Sequence, residues 1–268
     1  MMDPGAVLLV GCGKMGSALM AGWIDRGTPP EIIFVVDPAG PDLPEGVNGG
    51  ADISDIPEGF SPAVVVLAVK PQVMQAVAAS YRAIVAPGTV ILSIAAGRNI
   101  ASFEALLGGD AAIVRAMPNT PAAVGRGVTV LCANANVDPP QRAICESLLS
   151  AVGAVAWIED EGQMDAVTGV SGSGPAYVFH LVEAMAAAGV AAGLPEDLAM
   201  TLARETVAGS GELLARSPED AATLRRNVTS PGGTTEAALG TLMGEPGLTD
   251  LITRAILRAT ERSKELAG

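Results

Sequence analysis

The first half of the chain alternates short apolar runs with segments of helical spacing. The runs are too short for helices and rich in β-branched residues, so they predict strands; they lie at 6–10, 32–36, 64–68, 90–94, 113–116, 128–131 and 154–157. Continuous apolar strands separated by helical segments are typical of a parallel sheet covered on both faces. The stretch 37–61, rich in Pro, Gly and Asp, predicts a loop-like crossover.

The second half of the chain has helical periodicity and, after residues 159–162, no strand signal. The predicted helices are 174–190, 196–215, 218–228, 234–243 and 248–266. We therefore expect an α/β protein with a Rossmann-type, doubly wound parallel sheet over 1–160 and an all-helical dimerisation domain over 161–268. Helices as rich in Ala and Gly as the segment AMAAAGVAAG bury little area each. A second subunit would complete their core, which predicts a homodimer and leaves a ring of dimers open.

Composition and charge exclude several classes of protein. The chain has 268 residues, of which 49% are hydrophobic and 3% aromatic, so it is too apolar to be disordered. A formal net charge of −13, spread over both halves, argues against a nucleic-acid partner. Every apolar run is shorter than the roughly 18 residues of a membrane span, and the start MMDPGAVLLV lacks the basic region of a secretory signal.

Metal-binding side chains are scarce. Cys12, Cys132, Cys145 and the single His180 form no CxxC or HxxxH spacing, so we expect no metal site. An odd and sparse set of cysteines fits a reducing compartment, and we expect a cytoplasmic protein. Because His180 lies in an apolar helical segment, a packed or interface histidine is favoured over a catalytic one.

A glycine-rich loop follows the first predicted strand and opens the first helix. Its residues are Gly11, Cys12, Gly13, Lys14, Met15 and Gly16, in the pattern G-x-G-x-x-G. The first glycine permits the turn, the second lets the backbone approach a pyrophosphate, and the third allows close packing of helix on strand. The helix N-terminus supplies N–H groups for phosphates. The loop therefore predicts a dinucleotide site; the alternative is a glycine-rich turn without a ligand.

Asp37 ends the second predicted strand, 26 residues after Gly11. A carboxylate there can accept hydrogen bonds from the adenosine ribose hydroxyls and repels a 2′-phosphate. Residues 38–42 contain no Lys or Arg to hold that phosphate. The predicted cofactor is NADH or NADPH, and Asp37 favours NADH; the alternative is that Asp37 only caps the turn before Pro38.

Two later strand ends are expected to complete the cofactor cleft, because ligands of open α/β sheets bind outside the carboxyl ends of the strands. The segments contribute Ala68, Val69, Lys70 and Pro71, and then Ile94, Ala95 and Ala96. The two alanines of the second segment are small enough for a ribose or nicotinamide to lie against the backbone. Lys70 is either a phosphate-binding or structural cation, or a solvated charge.

A second glycine loop joins two helices of the predicted helical domain. It reads VTSPGGTT over 228–235 and places Gly233, Thr234 and Thr235 at a helix start. Free N–H groups and two hydroxyls there can bind a carboxylate. The alternative is that one threonine only caps the helix, but a cap does not explain the rest of the segment VTSPGGTT.

These motifs resemble the pyrroline-5-carboxylate reductase family over essentially the full chain. The matching segments are GCGKMG at 11–16, AVKP at 68–71, SIAAG at 93–97, RAMPNTPA at 115–122, DAVTGVSGSGPAY at 165–177 and NVTSPGGTTEAAL at 227–239. The last two are highly specific, whereas the first is shared by many dehydrogenases. The stretch 38–61 departs from the family pattern and is shorter.

The resemblance implies reduction of the imine of L-Δ1-pyrroline-5-carboxylate to L-proline by NADH or NADPH, the last step of proline biosynthesis. It implies that Thr235 is catalytic and hydrogen-bonds the substrate nitrogen, while backbone groups of Gly233, Thr234 and Thr235 hold the carboxylate. It adds Asn227, Glu161 and Ser173 as substrate-binding residues and Asn119 as a cofactor-binding residue. In the family, the active site lies between the nucleotide domain of one subunit and the helical dimer.

Two other functions fit part of the sequence. A β-hydroxyacid dehydrogenase also joins a Rossmann domain to a helical one. Proteins that resemble that family, however, carry a catalytic lysine near the start of the helical domain. This chain has no lysine between Lys70 and Lys264. A non-catalytic dinucleotide-sensing protein would keep GCGKMG but would not need the second glycine loop.

Overall fold

The computed structural model describes residues 5–95 and 97–267. The chain divides into two compact units. The first, which we call the sheet unit, runs to Gly172 and includes the end of the chain from Ala259 onwards; the second, the helical unit, is Ser173–Arg258. The domain boundary expected between residues 160 and 161 stays a prediction.

An eight-stranded sheet forms the centre of the sheet unit. Its strands are β1 Val7–Val10, β2 Ile33–Val36, β3 Asn48–Gly50, β4 Val64–Leu67, β5 Val90–Ser93, β6 Ala112–Met117, β7 Gly127–Ala133 and β8 Gly153–Trp157. Their order across the sheet is β3-β2-β1-β4-β5-β6-β7-β8. Strands β1, β2, β4 and β5 are buried at every position, as expected for strands covered on both faces.

Among the described residues, four helices lie between these strands along the chain, and a fifth follows the last strand. They are α1 Lys14–Asp25, α2 Pro71–Ser80, α3 Ile100–Leu107, α4 Pro139–Ser150 and α5 Met164–Val167, which continues as a π-helix over Thr168–Gly172. Short 3₁₀ turns lie at Pro30–Ile32, Ile53–Asp55, Tyr81–Ala83, Thr120–Val124 and Glu161–Gln163. Pro71 and Pro139 stand in the first turns of α2 and α4, where a missing N–H removes no helix hydrogen bond.

Each face of the sheet has its own hydrophobic core. On one face, α1 and α4 pack through Leu19, Trp23 and Leu148, and Nε1 of Trp23 donates to the Leu148 carbonyl at 2.9 Å. On the other face, α2 and α3 pack through Met74 and Phe103. Helices on both faces confirm the predicted doubly wound, Rossmann-type fold.

Two details of the sheet differ from the sequence-based expectation. β7 pairs antiparallel with β6 and parallel with β8, so the last two strands run against the other six. The connection between β6 and β7, residues 118–126, is too short for a parallel crossover, which takes about a dozen residues or more. The stretch 37–61 is not only a loop, because it contains β3, which extends the sheet beside β2.

The helical unit contains α6 Gly174–Ala191, α7 Glu196–Arg216, α8 Ala221–Asn227, α9 Thr234–Leu242 and the first part of α10, Leu248–Ala267. The predicted helices agree with these elements. Small residues let α6 and α7 approach closely, since a Cβ on Gly189 would stand 3.1 Å from the Cβ of Ala199. Within the part of the chain that is described, no helix is long and apolar enough to cross a membrane.

Many large apolar side chains of the helical unit are exposed in the single chain. They include Val178, Phe179, Leu181 and Met185 on α6, Leu198, Met200, Leu202, Leu213 and Leu214 on α7, Leu242 on α9, and Leu248, Leu251 and Leu257 on α10. Exposed apolar surface of this extent is typical of a protein–protein interface.

Candidate active site

The order of the strands reverses between β1 and β4 at the centre of the sheet. In open α/β sheets, ligands bind at this switch point, outside the carboxyl ends of the strands. The glycine loop 11–16 follows β1 and the segment 68–71 follows β4, and the N–H of Ala68 donates to the Val10 carbonyl at 2.8 Å. The fold therefore brings these two predicted cofactor segments together.

The three glycines of the first loop have different surroundings. Gly11 has a φ of +93°, and a Cβ there would lie 2.9 Å from the Ala68 carbonyl oxygen. A Cβ on Gly16 would collide with the carbonyl oxygen of Gly11. Gly13 is exposed, and a Cβ on it would meet no described atom within 4 Å. The fold itself requires Gly11 and Gly16, whereas Gly13 leaves open space where a ligand can approach the backbone.

Helix α1 presents its N-terminus at the same edge of the sheet. The N–H groups of Lys14, Met15 and Gly16 belong to its first turn and have no acceptor within the helix. That turn holds no acidic side chain. The Met15 side chain packs against the core and Lys14 is exposed, so both residues offer their backbone to a ligand. This terminus can bind the phosphates of a dinucleotide.

Asp37 follows β2 and binds the glycine loop directly. Its Oδ2 accepts the N–H of Cys12 at 2.6 Å, and its Oδ1 accepts the N–H of Ala39 at 2.8 Å. Burial and, second, the charge of Asp37 raise the pKa of the Cys12 thiol. Asp37 therefore caps the turn before Pro38, and each of its oxygens keeps a lone pair for a ribose hydroxyl.

The segments after β4 and β5 are also neighbours, because the N–H of Ile94 donates to the Leu67 carbonyl at 3.1 Å. Ala68, Val69 and Ile94 are half-buried and Ala95 is buried. Lys70 is exposed at the N-cap position of α2, directly before Pro71. The predicted cofactor residue Ala96 lies outside the described residues.

Glu161 binds a buried arginine and the start of a helix. Its Oε1 accepts from Nη1 of Arg115 at 2.8 Å and from the N–H of Ile100, the first residue of α3, at 2.9 Å. Arg115 lies on β6 opposite Cys132. Burial and, second, the charge of Glu161 raise the pKa of the Cys132 thiol. Arg115, which the sequence alone did not single out, is the buried partner of the predicted site residue Glu161; its signal was an isolated arginine within the apolar run AIVRAM.

Asn119 ties three segments of the sheet unit together. Its Oδ1 accepts the N–H of Val128 on β7 at 2.9 Å, and its Nδ2 donates to the carbonyl of Ser171 in the π-helix at 3.2 Å. It is also the N-cap residue of the turn Thr120–Val124. Both ends of its amide have protein partners, so Asn119 fixes the backbone of this region, and its contact with nicotinamide stays a prediction.

Two predicted substrate residues lie at helix ends in the helical unit. Ser173 is the N-cap residue of α6, is half-buried, and makes no capping hydrogen bond with its side chain. Asn227 ends α8, is exposed, and donates from Nδ2 to Oε2 of Glu219 at 3.0 Å. Their binding of substrate stays a prediction.

The second glycine loop begins α9. Gly232 has a φ of +70°, and its N–H donates to Oε2 of Glu236 at 2.7 Å. The N-cap residue is Gly233, so neither threonine caps the helix. Thr234 is exposed and Thr235 half-buried, and their N–H groups, in the first turn, have no acceptor within the helix. These two N–H groups and the Thr235 hydroxyl can bind a carboxylate and a second polar group.

Two family models match the chain. The model described as pyrroline-5-carboxylate reductase dimerisation matches residues 161–266, and the model described as NADP oxidoreductase, coenzyme F420-dependent, matches residues 6–97. The pyrroline-5-carboxylate reductase of Pseudomonas aeruginosa is 42% identical, over 99% of this chain and 98% of that protein. The chain belongs to the pyrroline-5-carboxylate reductase family. A pyrroline-5-carboxylate reductase of Synechocystis sp. is also 42% identical, over 96% of this chain and 97% of its own.

Solved pyrroline-5-carboxylate reductases share the fold. The structure from Coxiella burnetii has a TM-score of 0.92 at 35% identity and covers 99% of this chain and 100% of its own. The structure from Plasmodium falciparum, with NADP bound, has a TM-score of 0.82 at 29% identity and covers 100% of both chains. As a member of the pyrroline-5-carboxylate reductase family, this chain is an NAD(P)H-dependent oxidoreductase with a dimerisation domain.

Proposed function

We propose that this chain transfers a hydride from NADH or NADPH to L-Δ1-pyrroline-5-carboxylate and releases L-proline. The observation that supports this best is the second glycine loop, with the free N–H groups of Thr234 and Thr235 at the start of α9. A dinucleotide-binding protein has no need of such a loop unless it also binds a second anion. The chain is also 42% identical to a pyrroline-5-carboxylate reductase over nearly its whole length.

The sheet unit binds the cofactor in this proposal. N–H groups of residues 13–16 hold the pyrophosphate at the N-terminus of α1, and Asp37 accepts hydrogen bonds from the ribose hydroxyls. Residues 68–71, 94–96 and Asn119 border the nicotinamide end. The open space at Gly13 and the absence of an acid from the first turn of α1 fit a bound dinucleotide. When bound, the cofactor supplies the hydride from C4 of its nicotinamide.

The helical unit binds the substrate. The N–H of Gly233 already donates to the Ser230 carbonyl at 3.0 Å, so the N–H groups of Thr234 and Thr235 bind the carboxylate. Asn227 and Ser173 add polar contacts. Glu161, in the sheet unit, is the remaining predicted substrate-binding residue, and its Oε1 already accepts from Arg115 and from the Ile100 N–H.

The reaction needs little acid–base help from side chains. A protonated imine is electrophilic, so the hydride adds to the imine carbon, the π electron pair moves to nitrogen, and the proton already on nitrogen remains. The products are L-proline and the oxidised cofactor. Thr235 is a poor acid because the pKa of an alcohol is far above neutrality, so its hydroxyl orients the nitrogen by a hydrogen bond.

We further propose that NADH is preferred. The charge of Asp37 repels the 2′-phosphate of NADPH, and the exposed loop 38–40 offers no cation to it. The functional oligomer is a homodimer that covers the exposed apolar side chains of α6, α7 and α10, and a ring of such dimers is compatible with it. The three free cysteines fit a reducing compartment, which supports the cytoplasm.

The test is the oxidation of NADH and of NADPH, followed by absorbance, with pyrroline-5-carboxylate present. We expect turnover with both cofactors and a larger kcat/KM with NADH. A second arm supplies a 3-hydroxyacid and NAD+, the substrates of a β-hydroxyacid dehydrogenase. Turnover in that arm alone would overturn the proposal, and binding of NADH without turnover in either arm would indicate a dinucleotide sensor.

A further inference from the structure

Arg115 is a buried charge with no part in the proposed reaction. Only 5% of the residue is exposed, and it lies on the face of the sheet that α2 and α3 cover, since its neighbour Ile113, two positions earlier, belongs to that core. A buried guanidinium is costly to desolvate unless it is paired. Nη1 of Arg115 lies 2.8 Å from Oε1 of Glu161, and this ion pair compensates the buried charge and fixes the position of the Glu161 carboxylate.

The same carboxylate oxygen holds the start of α3. The N–H of Ile100 donates to Oε1 of Glu161 at 2.9 Å, across 61 positions of sequence. The partial positive charge of the helix N-terminus and the guanidinium therefore both face one carboxylate. Asn99 caps the same helix by accepting the N–H of Ser102 at 2.9 Å. The hydrogen bond from Ile100 to Glu161 therefore adds a tertiary contact to this local cap.

The ion pair lies beside both ends of one short segment. Segment 94–99, of which residues 94, 95 and 97–99 are described, lies between the end of β5 and the start of α3. At its first end, Ser93 is the register partner of Arg115 across the parallel β5–β6 pair. At its other end, Ile100 is bound by Glu161. The pair can therefore fix both ends of the segment that the proposed function puts against the nicotinamide.

We propose that Arg115 is a positioning residue for hydride transfer, acting through Glu161 on segment 94–99. This inference rests on the proposed function. Loss of the pair shifts the start of α3 and the segment before it, and a displacement of about 1 Å in a reacting geometry costs on the order of 100-fold in rate. Binding at the pyrophosphate and the adenosine ribose, which depends on other elements, is retained.

The experiment compares two carboxylates that lie two positions apart. Glu161→Gln removes the charge that faces Arg115, and Glu159→Gln makes the same change in an exposed pair with Arg142 at 3.3 Å. The readout is the single-turnover rate constant of NADH oxidation, with the full-length enzyme in excess over pyrroline-5-carboxylate. At enzyme concentrations that saturate this rate constant, it is a property of the bound complex and does not change with the folded fraction, so a purely structural defect is separated from a positioning one.

We expect Glu161→Gln to lower the rate constant by about 10–100-fold, with the Kd for NADH changed by less than about threefold. If Glu161→Gln does not fold, Arg115→Lys is the second variant, because it keeps the buried charge but loses the planar guanidinium donors. We expect it to lower the rate constant by about tenfold. Glu159→Gln should stay within about twofold of the wild type.

A folded Glu161→Gln or Arg115→Lys enzyme with the wild-type rate constant at saturating enzyme overturns the positioning role. A wild type that does not oxidise NADH with the imine overturns the proposed function instead, and the inference falls with it. An equal loss of rate in Glu159→Gln would also refute the inference, because the effect would then belong to net charge and not to the buried pair.

Discussion

Oδ2 of Asp37 accepts the N–H of Cys12 at 2.6 Å, so the residue that ends β2 also fixes the middle of the glycine loop. The proposed ribose contact and the proposed pyrophosphate contact are thereby joined by one hydrogen bond. A change at Asp37 that keeps an acceptor tests its charge, whereas a change that removes the acceptor also disturbs the loop.

Asp37→Asn keeps an acceptor for Cys12 and removes the charge. The ratio of kcat/KM with NADPH to kcat/KM with NADH should rise about tenfold, because the 2′-phosphate no longer meets a carboxylate. Steady-state kinetics with both cofactors measures this. Asp42→Asn, an exposed carboxylate in the same loop, is the matched control and should leave the ratio unchanged. A wild type that prefers NADPH would contradict the role given to Asp37.

Gly13→Val should abolish cofactor binding and leave the fold intact, because its side chain fills open space and meets no described atom within 4 Å of the Cβ position. Gly16→Ala should instead lower the free energy of unfolding, because its Cβ collides with the Gly11 carbonyl oxygen. NADH titration by fluorescence and urea unfolding separate the two effects. Unchanged NADH affinity in Gly13→Val would refute the nucleotide site.

Thr235→Ala should lower kcat/KM by roughly 10–1000-fold through the loss of one transition-state hydrogen bond. Thr235→Ser keeps the hydroxyl and should recover most of the activity. Circular dichroism should show the same fold in both variants, since Thr235 is only half-buried. Wild-type activity in Thr235→Ala would remove this hydroxyl from the mechanism.

Phe179→Glu should dissociate the proposed homodimer, because a phenyl ring that is 64% exposed on the apolar surface of α6 would be replaced by a charge. Sedimentation equilibrium should then give the mass of a single chain. Val124→Glu, at a side chain 76% exposed in the sheet unit, is the control and should sediment as the wild type does. A dimer that survives Phe179→Glu would place the subunit contact elsewhere.

Tyr81 makes stability dependent on pH in the alkaline range. Burial and, second, the charge of Asp52 raise the pKa of Tyr81 to about 12. In the unfolded chain the phenol ionises at about pH 10. The contribution of the neutral, buried phenol to the free energy of unfolding is therefore complete below that pH and is lost as the pH rises towards 12. Urea unfolding of the wild type and of Tyr81→Phe is measured at about pH 9 and about pH 11. Between these two pH values the free energy of unfolding should fall by about 1 kcal/mol more in the wild type than in Tyr81→Phe. Equal losses would contradict the buried, neutral phenol.

The apolar pattern predicted strands well because β1, β2, β4 and β5 are buried at every position. It could not predict β3, whose sequence Asn-Gly-Gly carries no apolar side chain and joins the sheet only through its backbone. Nor does an apolar run encode strand direction. The short connection of residues 118–126 was the available signal that β7 reverses.

The sequence offers candidate site residues where one local segment carries them, as in the two glycine loops, and their roles stay predictions. The candidate site could not be predicted where residues distant in sequence meet. The Arg115–Glu161 pair spans 46 positions and the Asp37–Cys12 hydrogen bond spans 25. In the sequence alone, the charged residues of these pairs could equally be solvated charges or turn caps. Their partners become visible only in the packing of the sheet unit.

Both tryptophans of the chain belong to the sheet unit, with Trp23 fully buried against α4 and Trp157 under the guanidinium of Arg142 at 4.1 Å. Indole emission during denaturation therefore follows the sheet unit alone. Far-ultraviolet circular dichroism, dominated by the long helices α6, α7 and α10, follows both units. A mismatch between the two denaturation curves would show that the units melt separately, and coincident curves would show one cooperative transition.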